Sequence, residues 1–247
     1  MDSAREDWIV PDWPAAGRVK ALITTRRGGV SSGAYASLNL GDAVGDDAAN
    51  VAENRRRLET CLPSAPKWLR QVHGKRVVGA SEIVPPTEAD ASFTSDANVV
   101  CAIMAADCLP VLLCDRAGSV VAAAHAGWRG LSDGVIENTV RAMGLPGAEL
   151  MAYLGPAIGP TAFEVGEDVH TAFVTHDPRA QSAFRKHGEE KWLADLYCLA
   201  RQRLQHAGVT TVYGGNHCTY TDPARFFSYR RDGASGRMAA LIWLARS

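Results

Sequence analysis

Val111-Leu112-Leu113-Cys114-Asp115-Arg116-Ala117-Gly118-Ser119-Val120-Val121-Ala122-Ala123-Ala124-His125 is the stretch from which the fold can be built. Two apolar runs of strand length flank Asp115-Arg116-Ala117-Gly118, a turn-forming tetrapeptide, so the segment predicts a β-hairpin. Outward from it, apolar runs predict strands over 19–25, 68–73, 99–105 and 150–154, and then over 210–213, 225–229 and 237–244. Helical spacing appears in four places. Val51, Leu58, Cys61 and Leu62 share a face behind an Asp46 or Asp47 N-cap, and Leu131, Val135, Val140 and Met143 share one after Gly127. Val165, Val169 and Phe173 form a third face; Leu193, Leu196, Ala200 and Leu204 form a fourth, with Gly208 placed to end it. Strands of mixed spacing with few helices predict an α+β fold, in which mixed β-sheets pack together and are flanked by helices, and not a regular βαβ repeat.

The breaks at 63–66, 84–87 and 144–147 are short and read as loops, so residues 1–247 are expected to form a single domain. With 47% hydrophobic and 21% charged residues the composition is that of an ordinary globular protein. A formal net charge of -1 leaves no basic field for nucleic acid, which is not an expected partner. The first 14 residues carry Asp2, Glu6, Asp7 and Asp12 and no apolar run, so they do not read as a signal peptide. No apolar run reaches the roughly 18 residues of a membrane span. A cytoplasmic location is expected, and membrane contact is not. The six cysteines contain no C-x-x-C pair; in a reducing compartment they read as thiols or metal ligands, most of them core residues.

Three segments stand out chemically: Gln71-Val72-His73-Gly74, Ala106-Asp107-Cys108-Leu109-Pro110 and His125-Ala126-Gly127-Trp128-Arg129-Gly130. Each puts a nitrogen or sulfur donor where an apolar run stops. Two imidazoles and a thiolate suit zinc and leave a fourth tetrahedral position open, the arrangement of catalytic sites. Water there is acidified to a pKa near ~7. Copper(II) competes for the same donors. The spacing is equally consistent with two structural histidines and a core thiol. It also fits a cysteine nucleophile, Cys108, with His125 as its base and the helix start near Trp128 stabilising negative charge, which leaves His73 without a role.

Arg26-Arg27-Gly28-Gly29, Arg230-Arg231-Asp232-Gly233 and the helix start at Trp128-Arg129-Gly130 are candidate phosphate binders, with Arg26, Arg129 and Arg230 as the contacts. Each is also readable as an ordinary Arg-Gly turn. Asn39 is a candidate for a hydrogen bond to a bound ligand, or for capping a turn. Asp107, beside Cys108, reads as structural. Gly29-Val30-Ser31-Ser32-Gly33 matches G-x-S-x-G, but no helical face follows, so it reads as a loop.

Taken together, these segments resemble the YfiH-like family, also called peptidoglycan editing factors or laccase-domain-containing proteins. The resemblance runs through 24–31, 37–41, 44–47 and 53–55, then Leu154-Gly155-Pro156-Ala157-Ile158-Gly159-Pro160, Phe163-Glu164-Val165-Gly166, Cys218-Thr219-Tyr220 and Phe227-Ser228-Tyr229-Arg230-Arg231. It implies that His73, Cys108 and His125 bind zinc. It also implies purine nucleoside phosphorylase activity on adenosine, inosine and methylthioadenosine, with phosphate as co-substrate, and adenosine deaminase activity. Bacterial members are linked to keeping wrong amino acids out of peptidoglycan precursors. The implied fold is mixed sheets flanked by helices, related to the cytotoxic necrotising factor toxins, which are cysteine hydrolases. Ala43 and Ser235 depart from the family pattern, away from the three ligands.

Older naming makes such proteins multicopper polyphenol oxidases. A three-copper cluster with a separate His₂Cys site needs about eight histidines. This chain has seven histidines, with no His-x-His pair, so copper can occupy at most the one His₂Cys site. Besides zinc-dependent phosphorolysis and deamination, two readings stay open. One is a metal-independent cysteine hydrolase of a cell-wall precursor, and the other is a metal-bearing binding protein that escorts a peptidoglycan enzyme.

Overall fold

The computed structural model describes residues 7–246; residues 1–6, part of the stretch read as lacking a signal peptide, lie outside the described residues. The hairpin forms as β5 (Leu109–Asp115) and β6 (Val121–Ala126), paired antiparallel. Its turn is held by the Asp115 carboxylate, which accepts the N–H groups of Ser119 at 2.6 Å and Val120 at 2.9 Å. These strands are the centre of a six-stranded sheet. Its order is β11 (Thr211–Gly214), β7 (Leu150–Leu154), β5, β6, β3 (Ala91–Thr94), β2 (Val77–Gly79). Only the outer pairs, β11 with β7 and β2 with β3, are parallel, so the sheet is mixed.

Every residue of β5 and β6 is buried, because both faces of the sheet are covered. Strand alternation divides the apolar residues. Val111, Leu113, Ala122 and Ala124 face a helical layer made by α2 (Trp128–Asp133), α3 (Val135–Ala142) and α5 (Leu196–His206). Leu112, Cys114, Val121 and Ala123 face a second sheet. That sheet has the order β1 (Val19–Ile23), β12 (Met238–Leu244), β4 (Cys101–Ala105), all antiparallel. Its inner face brings Ile23, Ile103 and Ile242 into the shared core. Its outer face, through Ala102, Ala239 and Leu241, packs against Leu38, Leu40 and Leu58 of the layer containing α1 (Ala48–Glu59). Leu112 and Leu113 are wholly buried on opposite faces, each worth about 2 kcal/mol of transfer free energy. A small sheet, β8 (Glu164–Gly166), β10 (Lys191–Ala194), β9 (Phe184–Lys186), packs with α4 (Glu167–Val174) at the rim of the helical core. The fold is α+β, as expected.

Four local expectations are corrected. The helical face at 131–143 is two helices, because Gly134 at φ 100° ends α2 and begins α3. Val165 and Leu193 share spacing with the helices that follow them but lie in β8 and β10 and pair with each other's strand. The run at 225–229 is not a strand: Ser228 caps the short helix α6 (Tyr229–Asp232) by accepting the Arg231 N–H at 3.2 Å. The run at 68–73 is not a strand: it makes one isolated bridge, from Arg70 to Glu88, with another just before it from Lys67 to Cys101. Among the described residues no helix is long and apolar enough to cross a membrane.

Candidate metal centre

His73, Cys108 and His125 converge, with ligand atoms all within 4.8 Å of one another. The fold brings each in by a different route. Cys108 lies where the chain leaves β4 in one sheet and enters β5 in the other, at a bend that puts Asp107 at φ 83°. The bend is tied down by the Asp107 carboxylate, which accepts the Thr219 hydroxyl at 2.6 Å and the Arg230 N–H at 2.7 Å. Asp107 therefore has the structural role read for it. His125 is the penultimate residue of β6, opposite Pro110. His73 sits in the loop after the irregular 68–72 stretch at φ 60°, a left-handed conformation that costs an imidazole-bearing residue about 1 kcal/mol.

Asp90, one residue before β3, is fully buried and accepts the His125 Nδ1 hydrogen at 2.8 Å. It also accepts the N–H groups of His73 at 2.9 Å, Gly74 at 2.7 Å and Val72 at 3.2 Å. With Nδ1 engaged, Nε2 of His125 is left for the cluster. Cys108 Sγ lies 3.7 Å from His73 Nε2. Burial by itself would raise the Cys108 thiol pKa; the charge and hydrogen bonds of His125 and His73 outweigh it and the thiol falls below its ordinary value. Burial would likewise lower His125, but the Cys108 charge and the Asp90 carboxylate hold it above the ordinary imidazole value. Burial would raise Asp90, and the hydrogen bonds from His125 and the Gly74 amide keep its carboxyl below the usual range.

Glycine at 127 is a requirement of this geometry. A Cβ there would lie 3.0 Å from both Cys108 Sγ and His73 Cδ2 and 3.5 Å from His125 Cε1. At 130 a Cβ would meet the Gly74 carbonyl oxygen at 2.5 Å, so α2 packs directly on the His73 loop. Two imidazoles and an acidified thiol around a gap that a methyl group would fill, one imidazole oriented by a buried carboxylate, fit a metal ion with an open position. Among the described residues no other group of His, Cys, Asp and Glu side chains gathers in this way.

The cluster opens into a cleft of about 890 Å³. Of the four polar residues expected at a substrate, Arg129 and Arg230 line it, and Arg26 and Asn39 do not. Arg129 stacks on Trp128 at 4.3 Å; Arg230 lies over Phe163 at 5.1 Å and donates to the Glu164 carbonyl oxygen at 2.7 Å. Arg26 instead donates to the carbonyl oxygens of Ala36 and Pro223 and lies over Phe227. Asn39 is wholly buried: its amide donates to Gly41 O and Asp46 Oδ2, and its Oδ1 accepts from Gly41 and Arg237 N–H groups. It holds the 39–46 loop. Arg55 and Arg237 line the cleft and were not among the expected substrate contacts, nor was Asp90, which follows Ala89 with no local motif to mark it. The G-x-S-x-G stretch is a loop with one short 3₁₀ turn at Gly33–Tyr35, not a nucleophile elbow.

A family model described as multi-copper polyphenol oxidoreductase laccase matches residues 20–245. Purine nucleoside phosphorylase PA4543 of Pseudomonas aeruginosa is 55% identical over 240 residues, covering 96% of this chain and 98% of that protein. Purine nucleoside phosphorylase YfiH of Escherichia coli K12 is 54% identical over 239 residues, covering 96% and 98%. The crystal structure of Neisseria meningitidis protein NMB0706 superposes with a TM-score of 0.94 at 56% identity over 97% of this chain and 100% of that one. YlmD from Geobacillus stearothermophilus superposes at 0.84 with 32% identity over 95% and 94%. The chain therefore belongs to the multi-copper polyphenol oxidoreductase laccase family, within which it is similar over nearly its full length to YfiH-type proteins named purine nucleoside phosphorylases.

Proposed function

We propose that this protein is a zinc-dependent purine nucleoside phosphorylase that also deaminates adenosine. The observation that carries the reading is the opening of a three-donor cluster into a nucleoside-sized cleft walled by aromatic rings and arginines. The names of the two relatives described above support the substrate class. Tyr229, 57% exposed on the cleft, offers a flat face to a purine; the Trp68 and Phe163 rings at the cleft are backed by Arg55 and Arg230. Arg129 and Arg230, both on the cleft wall, would hold phosphate beside the ribose. Phosphorolysis forms a bond from a phosphate oxygen to ribose C1′ and breaks the glycosidic C–N bond; the base leaves with the electron pair and takes up a proton. Cationic guanidinium groups would hold the attacking anion in line.

His73, Cys108 and His125 would hold the metal, which supplies Lewis-acid character and, if it is zinc, the acidified water that deamination needs. Copper would compete for the same donors. The free state of all six cysteines suits a cytoplasmic protein, and the core shared by both large sheets supports treating the chain as one domain. Adenosine is incubated with zinc-loaded protein, with and without phosphate. Adenine and ribose 1-phosphate that appear only with phosphate establish phosphorolysis, and phosphate-independent inosine establishes deamination. The absence of both products would overturn the assignment.

One observation favours a second reading. Asp90, His125 and Cys108 follow one another as carboxylate, imidazole and lowered-pKa thiol, the order of a cysteine hydrolase, whose substrate would be a peptidoglycan precursor. Activity that survives a chelator and dies on thiol alkylation would establish it.

A further inference from the structure

The two histidines of the cluster come from parts of the chain 52 positions apart, yet one side chain touches the backbone or ring of both. Asp90 continues the β3–β6 ladder by one residue beyond the Ala91–Ala124 pair, which sets it opposite His125. Its backbone is clamped on both sides: its N–H donates to Arg76 O at 3.0 Å and its carbonyl accepts the His125 N–H at 2.7 Å. From that fixed post its two carboxylate oxygens receive four hydrogens. Oδ1 takes the His73 N–H and the His125 ring hydrogen; Oδ2 takes the Val72 and Gly74 N–H groups.

Three consecutive amides aimed at one anion are what a left-handed residue in the middle of the turn produces, and His73 is that residue. The carboxylate offsets the strain of the turn and thereby sets where the His73 ring begins. The same group fixes which nitrogen of His125 faces Cys108. We propose that Asp90 is the positioning residue of this site, one buried carboxylate that sets the orientation of both histidines and so the shape of the donor set. The link to metal rests on the function proposed above; the hold on the two histidines does not.

The test uses Asp90→Asn in the full chain, with Asp115→Asn as the reference. Asp115 is an equally enclosed carboxylate with two backbone N–H partners, at the far end of β5 from the cluster. An amide in place of Asp90 has one acceptor oxygen where two are needed and turns a donor toward N–H groups. Cobalt(II) titration reads the donor set by affinity and absorption spectrum. Nitrogen-edited NMR reads the hydrogen-bonded ring N–H of His125 and the exchange of the 72–74 amides.

Asp90→Asn should weaken cobalt binding about ten- to hundredfold, alter the spectrum, erase the ring signal and speed amide exchange at 72–74 at least tenfold. Asp115→Asn should lower thermal stability and leave all four unchanged. Wild-type cobalt affinity and spectrum in Asp90→Asn would overturn the proposal. Should that variant not fold, the wild type decides alone: a His125 ring N–H that exchanges as in free histidine would overturn it. A wild type that binds no cobalt yet shows the protected ring signal, lost in Asp90→Asn, would overturn the metal reading and keep the positioning role.

Discussion

Cys108 and Cys114 stand at the two ends of β5, six residues apart, and have opposite chemistry. Cys114 is fully buried between the sheets, and burial, with the Asp115 carboxylate next to it, pushes its thiol up to about 12. Cys101, on the facing strand β4, is likewise pushed up to about 12 by burial. Cys108 is half-buried at the cleft, its neighbours are two imidazoles, and the direction reverses. Burial alone therefore does not decide thiol reactivity in this fold; what lies within a few ångströms of the sulfur does. The two ends also differ in construction. At Cys114 the strands continue in register and the sulfur is one more apolar group, whereas at Cys108 the sheets part and a cleft opens.

The largest effect expected from that difference is on turnover. Cys108→Ala should abolish metal uptake and lower nucleoside turnover on the order of 10³-fold or more. Cys114→Ala should keep wild-type kinetics and cost about 1 kcal/mol of stability, read by denaturant unfolding. Equal kinetic losses would remove the distinction. Alkylation should sharpen it: iodoacetamide should modify Cys108 in metal-free protein, with zinc slowing the reaction, while mass spectrometry finds Cys101 and Cys114 unmodified in the native state.

Gly127→Ala tests the space around Cys108 without touching a ligand. Its Cβ would crowd Cys108 and His73, so metal affinity should fall by about ten- to hundredfold with the fold intact. Gly17→Ala, whose Cβ meets nothing within 4 Å, should leave both unchanged. The smallest effect is at the rim. Arg129→Ala should raise the KM for phosphate about tenfold, the loss of one charge-assisted contact. Arg201→Ala should not, since that guanidinium faces away from the cleft and donates to the Val212 and Gly214 carbonyl oxygens.

What could be read from the sequence follows the same division. The centre of the fold was legible because β5, β6 and β7 are buried on both faces and so appear as unbroken apolar runs. The three donors were legible because each interrupts such a run or ends it. Asp90 was not, since its partners are 16 to 18 residues upstream and 35 downstream and no local spacing links them. The stretch at 68–73 looked like a strand for a related reason. Its apolar residues have strand spacing, but its last amides turn to the Asp90 carboxylate and not to a neighbouring strand. Asn39 differs in the opposite direction: a polar residue in a motif suggested a ligand contact or a turn cap, and in the structure its side chain bonds to its own loop and to the Arg237 N–H.

The order β1, β12, β4 also sets a timetable for synthesis. The strand that lies between β1 and β4 is Met238–Leu244, more than 200 residues after β1 leaves the ribosome. Until then two apolar strands wait with open edges, and the inner face of that sheet has no finished partner layer for the hairpin. A nascent chain halted before residue 238 therefore carries all three donors and cannot close the sandwich that holds them together, and its exposed edges make it a substrate for chaperones and proteases.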